Sequence, residues 1–168
     1  MTVTEAIRNR RSIRKYSARP VEDEKLAAVL EAARLAPSAA NKQNWKFIAV
    51  RDPALRVKLT EACGGQKFVG EAPVILVACA TELHTMTCGQ PADTIDPAIA
   101  MSFMLLAAAE QGLGTCWLGF FYEEKVKAAL GIPSHMRVVA VSPLGYPAEN
   151  PAARARKGAE EVISYNRF

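Results

Sequence analysis

The sequence predicts an α+β domain, and three observations carry that prediction. Half of the 168 residues are hydrophobic, enough for one sizeable core in one chain-length unit. Apolar runs at 45–50, 74–79 and 137–141 have the length of strands, and the second is uninterrupted, as in a strand covered on both faces. Between them lie longer stretches with helical spacing, one of which, over 98–109, has Ser102 as its only polar residue.

Taken in order, Thr2-Val3-Thr4-Glu5 has the form of a capping box and opens a helix through Arg8. That helix delivers Arg10-Arg11-Ser12-Ile13-Arg14-Lys15-Tyr16 at its carboxyl end, with Arg10 and Arg14 spaced to share a helical face. Guanidinium groups bind a phosphate through paired hydrogen bonds, and Ser12 adds another donor. Alone, such a run serves equally as a solvated basic turn. Pro20 resets the backbone, and Glu22, Asp23 and Glu24 suit the positive end of a second helix with Leu26, Val29, Leu30 and Ala33 as its apolar stripe. Pro37 stops it. The loop Ala36-Pro37-Ser38-Ala39-Ala40-Asn41-Lys42-Gln43-Asn44 is small and amide-rich, so its backbone can lie close to a flat ligand. Asn41 and Gln43 carry both donors and acceptors, suited to a heterocycle edge, although an ordinary helix-to-strand connection has the same composition.

Asp52-Pro53 supplies an N-cap and first-turn proline for a third helix ended by Gly64, after which Gly65-Gln66-Lys67 leads to the strand at 74–79. Residues 80–93 are expected as loop. Asp96-Pro97 is expected to start the all-apolar helix, shorter than a bilayer span, and no apolar run in the chain approaches that length. Its apolar circumference requires burial on more than one side, either as a central core helix or against a partner subunit. Gly112-Leu113-Gly114 is no dinucleotide fingerprint, because Trp117 stands where a third glycine is needed and the segment follows a helix. A helix over 122–130 is closed by Gly131, and Gly145-Tyr146-Pro147 breaks regular structure before a tail with Arg154, Arg156 and Lys157.

Composition narrows the function. With 21 basic and 17 acidic residues, the net charge of +4 is too mild for a nucleic-acid surface, and the cations gather at the two ends. Cys63, Cys79, Cys88 and Cys116 form no Cys-x-x-Cys pair, and no signal peptide opens the chain, so reduced thiols in the cytoplasm are expected. His84 and Cys88, four apart among Thr, Met and Gly, make a poor metal site. Neither a metal nor a membrane is expected as a partner.

Arg10-Arg11-Ser12-Ile13-Arg14, the 36–45 loop ending in Trp45, Ala72-Pro73-Val74, the helix before Gly112-Leu113-Gly114-Thr115-Cys116-Trp117-Leu118-Gly119, and a tail with Arg154 and Arg156 recur in this order in a known family. The chain resembles the FMN-dependent nitroreductase family along nearly its whole length, in its minimal form. It departs at Asn44, where members often have proline, and at Ala39, where they often have a second hydroxyl; both departures bear on substrate range more than on flavin.

The resemblance implies a central, mostly antiparallel sheet flanked by helices in an intertwined homodimer, with 1–147 as the FMN-binding domain and 148–168 as an arm reaching the partner. It implies FMN phosphate contacts from Arg10, Arg11, Ser12, Arg154 and Arg156, with Arg14 beside the flavin's N1 and O2. It places Pro37, Ser38, Ala39, Asn41, Gln43 and Gln66 near the flavin, and Trp117, Leu118 and Gly119 at its reactive centre, with a main-chain N–H donating there. No side chain is implied as a catalytic acid or base. NADH or NADPH is the implied electron donor and a nitroaromatic or quinone-like small molecule the acceptor, in ping-pong order. Two other functions fit the same features: a specialised flavin oxidoreductase of dehalogenating or flavin-cleaving type, and a flavin storage protein without turnover.

Overall fold

In the computed structural model, which describes all of residues 1–168, four strands form one sheet. They are β1 (Trp45–Val50), β2 (Val74–Ala80), β3 (Gly114–Thr115) and β4 (Arg137–Gly145), in the order β1-β2-β4-β3 with every pairing antiparallel. The helices are α1 (Val3–Asn9), α2 (Asp23–Arg34), α3 (Pro53–Ala62), α4 (Lys67–Glu71), α5 (Ala92–Glu110), α6 (Glu123–Leu130) and α7 (Ala159–Val162). The α+β class expected from the sequence is the class observed.

β2 explains the layering. All seven of its residues are buried, and because side chains alternate along a strand they divide between two cores. Val74, Leu76 and Ala78 pack with Val29 and Ala33 of α2 and with Met101, Met104 and Ala108 of α5. Ile75, Val77 and Cys79 face the opposite way, onto Leu59 and Ala62 of α3, Val69 of α4 and Val126 of α6. Each fully buried aliphatic side chain contributes roughly 1.5–3 kcal/mol relative to exposure, so helices on both faces favour the unbroken apolar run.

Four expectations are corrected. First, α5 starts at Ala92, four residues before Asp96-Pro97, and Pro97 lies inside it. A proline there removes one helical hydrogen bond, yet the carboxylate of Asp96 is buried and accepts the Ala39 N–H at 3.0 Å, so this dipeptide ties a loop to the helix instead of capping it. Second, at 19 residues α5 does reach the length and apolarity of a membrane span; here less than half of it is buried, against the sheet and α2. Third, α4 falls in a stretch expected as connection; its five residues are too few for a periodic signal, and Arg56 Nη1 secures its end through the carbonyls of Gly70 (2.9 Å) and Ala72 (2.7 Å). Fourth, β4 continues through Pro143 to Gly145. A strand tolerates proline where no partner needs its N–H. Pro143 pairs with Ile75 of β2, and on its other side it falls between the Leu118↔Val141 bridge and the Thr115↔Leu144 pair, outside the paired residues of β3.

The far side of α5 is uncovered. Phe103, Leu106 and Ala107 line an apolar groove of about 260 Å³ with Val3 and Ala6 of α1 and Ala32 of α2.

Candidate functional site

The capping box at the amino end is present: Thr2 Oγ1 accepts the Glu5 N–H (3.2 Å) and Glu5 accepts the Thr2 N–H (2.7 Å). α1 ends at Asn9, and Arg10 turns out with ψ 130°. Arg10 and Arg14 therefore do not share a helical face, which corrects the expectation from their spacing. The chain instead runs along the sheet. The Ile13 N–H donates to Thr115 O (2.9 Å), the Ser17 N–H to Tyr146 O (2.9 Å), and the Ala148 N–H to Lys15 O (2.9 Å). Glycine at 114 permits this approach, since a Cβ there would stand 2.7 Å from Ile13 Cγ1.

Held this way, the basic segment meets the tail. Arg8, Arg10, Arg11, Ser12 and Arg14 line a cleft of about 370 Å³ together with Arg154 and Arg156, so the two arginine clusters, separate in sequence, converge. None of these six arginines forms an ion pair with a carboxylate. Arg11 Nη1 is tied to the carbonyls of Arg8 (2.7 Å) and Arg10 (3.0 Å) at the end of α1. The single carboxylate bonded to this segment, Glu149, accepts the main-chain N–H of Arg14 at 2.5 Å and leaves the guanidinium unpaired. Six like charges around one cleft repel one another, and an anion of charge about −2 relieves that repulsion.

Thr115 bridges to Ser12, Cys116 feels the field of Arg10, Arg14 and Arg154, and Trp117, Leu118 and Gly119 follow them in the chain. Burial pushes the Cys116 thiol up, against the opposing pull of Arg14, Ser12, Arg10 and Arg154, so it remains protonated at neutral pH. Burial, and after it the neighbouring Cys116 and Glu149, also push Tyr16 up, and its hydroxyl donates to Ile13 O at 2.6 Å. Neither group is a base at neutral pH. Leu118 is buried and its N–H donates to Val141 O (2.9 Å), whereas the exposed Gly119 has an N–H with no acceptor. Gln66 spends its side-chain N–H groups on Cys63 O (2.8 Å) and Phe120 O (3.3 Å), which steadies this turn and leaves only its carbonyl oxygen free.

The loop after α2 is strained and strongly determined. Ala40, Asn41 and Gln43 have φ of 50°, 53° and 54°, a region that costs a non-glycine residue roughly 1–2 kcal/mol. Ser38 Oγ accepts the Gln43 N–H at 3.1 Å, and Asp96 accepts the Ala39 N–H, which offsets part of that cost. Pro37, Asn41 and Gln43 are exposed, and Ser38 keeps a hydroxyl proton to donate. Yet none of Pro37, Ser38, Ala39, Asn41 and Gln43 lines the arginine cleft. Their anchor, Asp96, lies near the start of α5, while Ala109, thirteen residues and roughly 20 Å further along, lines the smaller cavity beside Arg10 and Arg11. One chain thus assembles the arginines, and it holds the amide loop at the other end of α5.

Asp96, Glu149 and Tyr16 escaped the sequence reading. The only signal for Asp96 was an Asp-Pro pair that reads as a cap, and nothing near Glu149 marks it.

The model of the nitroreductase family matches residues 7–67 and 60–146. The chain belongs to the nitroreductase family. Among its nitroreductase-family relatives, an NADH dehydrogenase of Thermus thermophilus is 36% identical, covering 92% of this chain and 91% of the relative. An oxygen-insensitive NADPH nitroreductase of Salmonella typhimurium is 32% identical, over 94% and 71% respectively. In the solved structure of NADPH:FMN oxidoreductase from Vibrio harveyi complexed with NAD+, the fold superposes with a TM-score of 0.90 at 29% identity, covering 99% of this chain and 77% of that one.

Proposed function

We propose that this nitroreductase-family protein is a cytoplasmic, FMN-dependent oxidoreductase that passes hydride from NADH or NADPH to nitroaromatic or quinone-like acceptors in ping-pong order. The observation that carries the proposal is the cleft of six arginines without a carboxylate partner. A phosphate monoester fits it: Arg10, Arg11, Arg154 and Arg156 offer guanidinium forks and Ser12 a hydroxyl.

Bound FMN would supply the reversible hydride transfer that none of the twenty side chains provides. The chain supplies the setting. Arg14 offers positive charge to the ring edge that becomes anionic on reduction, and the free Gly119 N–H offers a donor at the reacting edge. Cys116 and Tyr16 stay protonated, so neither thiol nor phenol is set to abstract a proton, in keeping with a site whose protons come from donor and water.

A complete site needs a second copy. We place Pro37, Ser38, Ala39, Asn41, Gln43 and Gln66 around the flavin of a homodimer in which the 37–43 loop serves the partner's arginine cleft. The roughly 20 Å along α5 between loop and cleft, and the open groove at Phe103 and Leu106, support this arrangement. Residues 1–147 form the flavin-binding domain in this scheme, and residues 148–168 an arm. The arm's Val162, Ile163, Tyr165 and Phe168 are all exposed within one chain, as expected of side chains awaiting another surface.

Anaerobic mixing of the purified protein with NADH tests the proposal. Yellow protein that bleaches rapidly and releases FMN on denaturation supports it. Flavin that binds without bleaching indicates storage, and protein that cannot be loaded with FMN refutes it.

A further inference from the structure

An exposed aromatic pair adjoins the Gly119 turn, and nothing above uses it. Phe120 is 59% and Tyr122 50% exposed, with ring centroids 6.0 Å apart and planes inclined at 59°. Exposed aromatics at a chain turn are usually loose, but these are held. The Phe120 ring lies against Gly64, where a Cβ would overlap it, and Phe120 O accepts from Gln66 at 3.3 Å. The Tyr122 N–H donates to Ala62 O at 2.8 Å, and Lys125 Nζ sits 4.9 Å from the Tyr122 ring centre. Tyr122 also occupies the N-cap of α6 without a side-chain cap bond, a position where Ser, Thr, Asp or Asn stabilises a helix. The pair therefore presents a fixed, exposed aromatic face to solvent.

Beside the pair, a groove of about 370 Å³ runs between α3 and α6, lined by Lys58, Glu61, Ala62, Lys125, Ala128 and Ala129. Neither lysine has a carboxylate partner within ion-pair distance. We propose that Phe120, Tyr122, Lys58 and Lys125 form the docking surface of the pyridine dinucleotide donor, with a planar ring on the aromatic pair and the diphosphate on the lysines. The proposal rests on the reading that a flavin reacts beside Gly119. Two features favour the donor over the acceptor: an uncharged quinone has no use for two free lysines, whereas a dinucleotide carries a diphosphate flanked by ribose hydroxyls that the carboxylate of Glu61 can accept. The groove shares Ala62 and Lys125 with the contacts that hold Tyr122, so one elongated ligand can span the pair and the groove.

Calorimetric titration of the FMN-loaded protein with NAD+ and with NADP+ tests the surface without turnover. Phe120→Ala with Tyr122→Ala is expected to weaken binding of at least one of them roughly tenfold. Lys58→Gln with Lys125→Gln, both at solvent-facing positions, is expected to weaken it roughly three- to fivefold and to flatten its salt dependence. Flavin content, dimer mass and the rate at which menadione reoxidises the reduced protein are expected to stay at wild-type values in the lysine variant. Unchanged NAD+ and NADP+ affinity in both variants overturns the inference. Loss of the dimer in the lysine variant also overturns it, because the surface then belongs to a second copy of the chain. Wild-type protein that binds NAD+ through these residues yet is not bleached by NADH keeps the surface and removes the oxidoreductase reading.

Discussion

The two faces of β2 and the arginine cleft are built on opposite rules. Around β2 each buried side chain finds its partners within the same chain, from Val29 and Met104 on one side to Leu59 and Val126 on the other. Around the cleft, Arg8, Arg10, Arg11, Arg14, Arg154 and Arg156 face one another without a counter-charge, and the tail that supplies two of them is exposed. The core is self-sufficient. On the function proposed, the cleft is completed by an anion from outside the chain, so stability and function should be separable by mutation.

The largest test removes the tail. Truncation after Tyr146 takes away Arg154 and Arg156 and is expected to abolish stable FMN retention and the dimer together, measured by flavin titration and light scattering. Arg156→Ala is the control, expected to weaken FMN while leaving the dimer. A truncated protein that stays dimeric with full flavin affinity would show that the cleft is completed without the tail. Next in size, Leu76→Ala opens a cavity in the core and is expected to cost about 2–5 kcal/mol in urea unfolding, with FMN affinity of the folded fraction unchanged. Loss of flavin affinity there would couple the regions that the comparison separates.

Arg14→Ala is expected to do the reverse: wild-type unfolding, but FMN binding weaker by about 1.5–3 kcal/mol and a lower flavin reduction potential. A smaller effect concerns pH. Burial raises Cys63 and Cys79 from an ordinary value of about 9 to about 11. The folded state thus favours the neutral thiols; their contribution is fully present below about pH 9 and is lost as pH rises through about 11. Stability measured across that window should fall, and Cys63→Ala with Cys79→Ala should flatten the slope. Least of all, Cys116→Ser should leave NADH-dependent flavin reduction near wild type, since that thiol is held protonated.

The same contrast decides what was legible beforehand. β2 announced itself because burial on both faces writes an unbroken apolar run, and the capping box at Thr2 and Glu5 is a local device with a local signature. The arginine clusters were visible as composition, but their meeting depends on Gly114 admitting Ile13 and on the Tyr146 and Lys15 carbonyls, contacts between residues far apart in sequence. Asp96 was misread for a similar reason: Asp-Pro has a strong local meaning, and only the Ala39 N–H 57 positions away overrides it. Short-range rules recover elements, while a site made by convergence shows in sequence as isolated oddities.

One helix sets the terms on which this protein can change. α5 carries the anchor of the strained loop near one end and leads into the wall of the arginine pocket at the other. Inserting a single residue between Asp96 and Ala109 would turn one end about 100° relative to the other and shift it about 1.5 Å, so the loop and the pocket would lose registry at once. Thr81, Glu82 and His84 brace the loop at Lys42 and Asn44, but the hairpin at 85–91 closes on itself, with the Met86 N–H donating to Gln90 O and the Gly89 N–H to Met86 O. Relatives that diverge in length are therefore expected to gain and lose residues there, or beyond Arg156, and to keep the count within α5 constant.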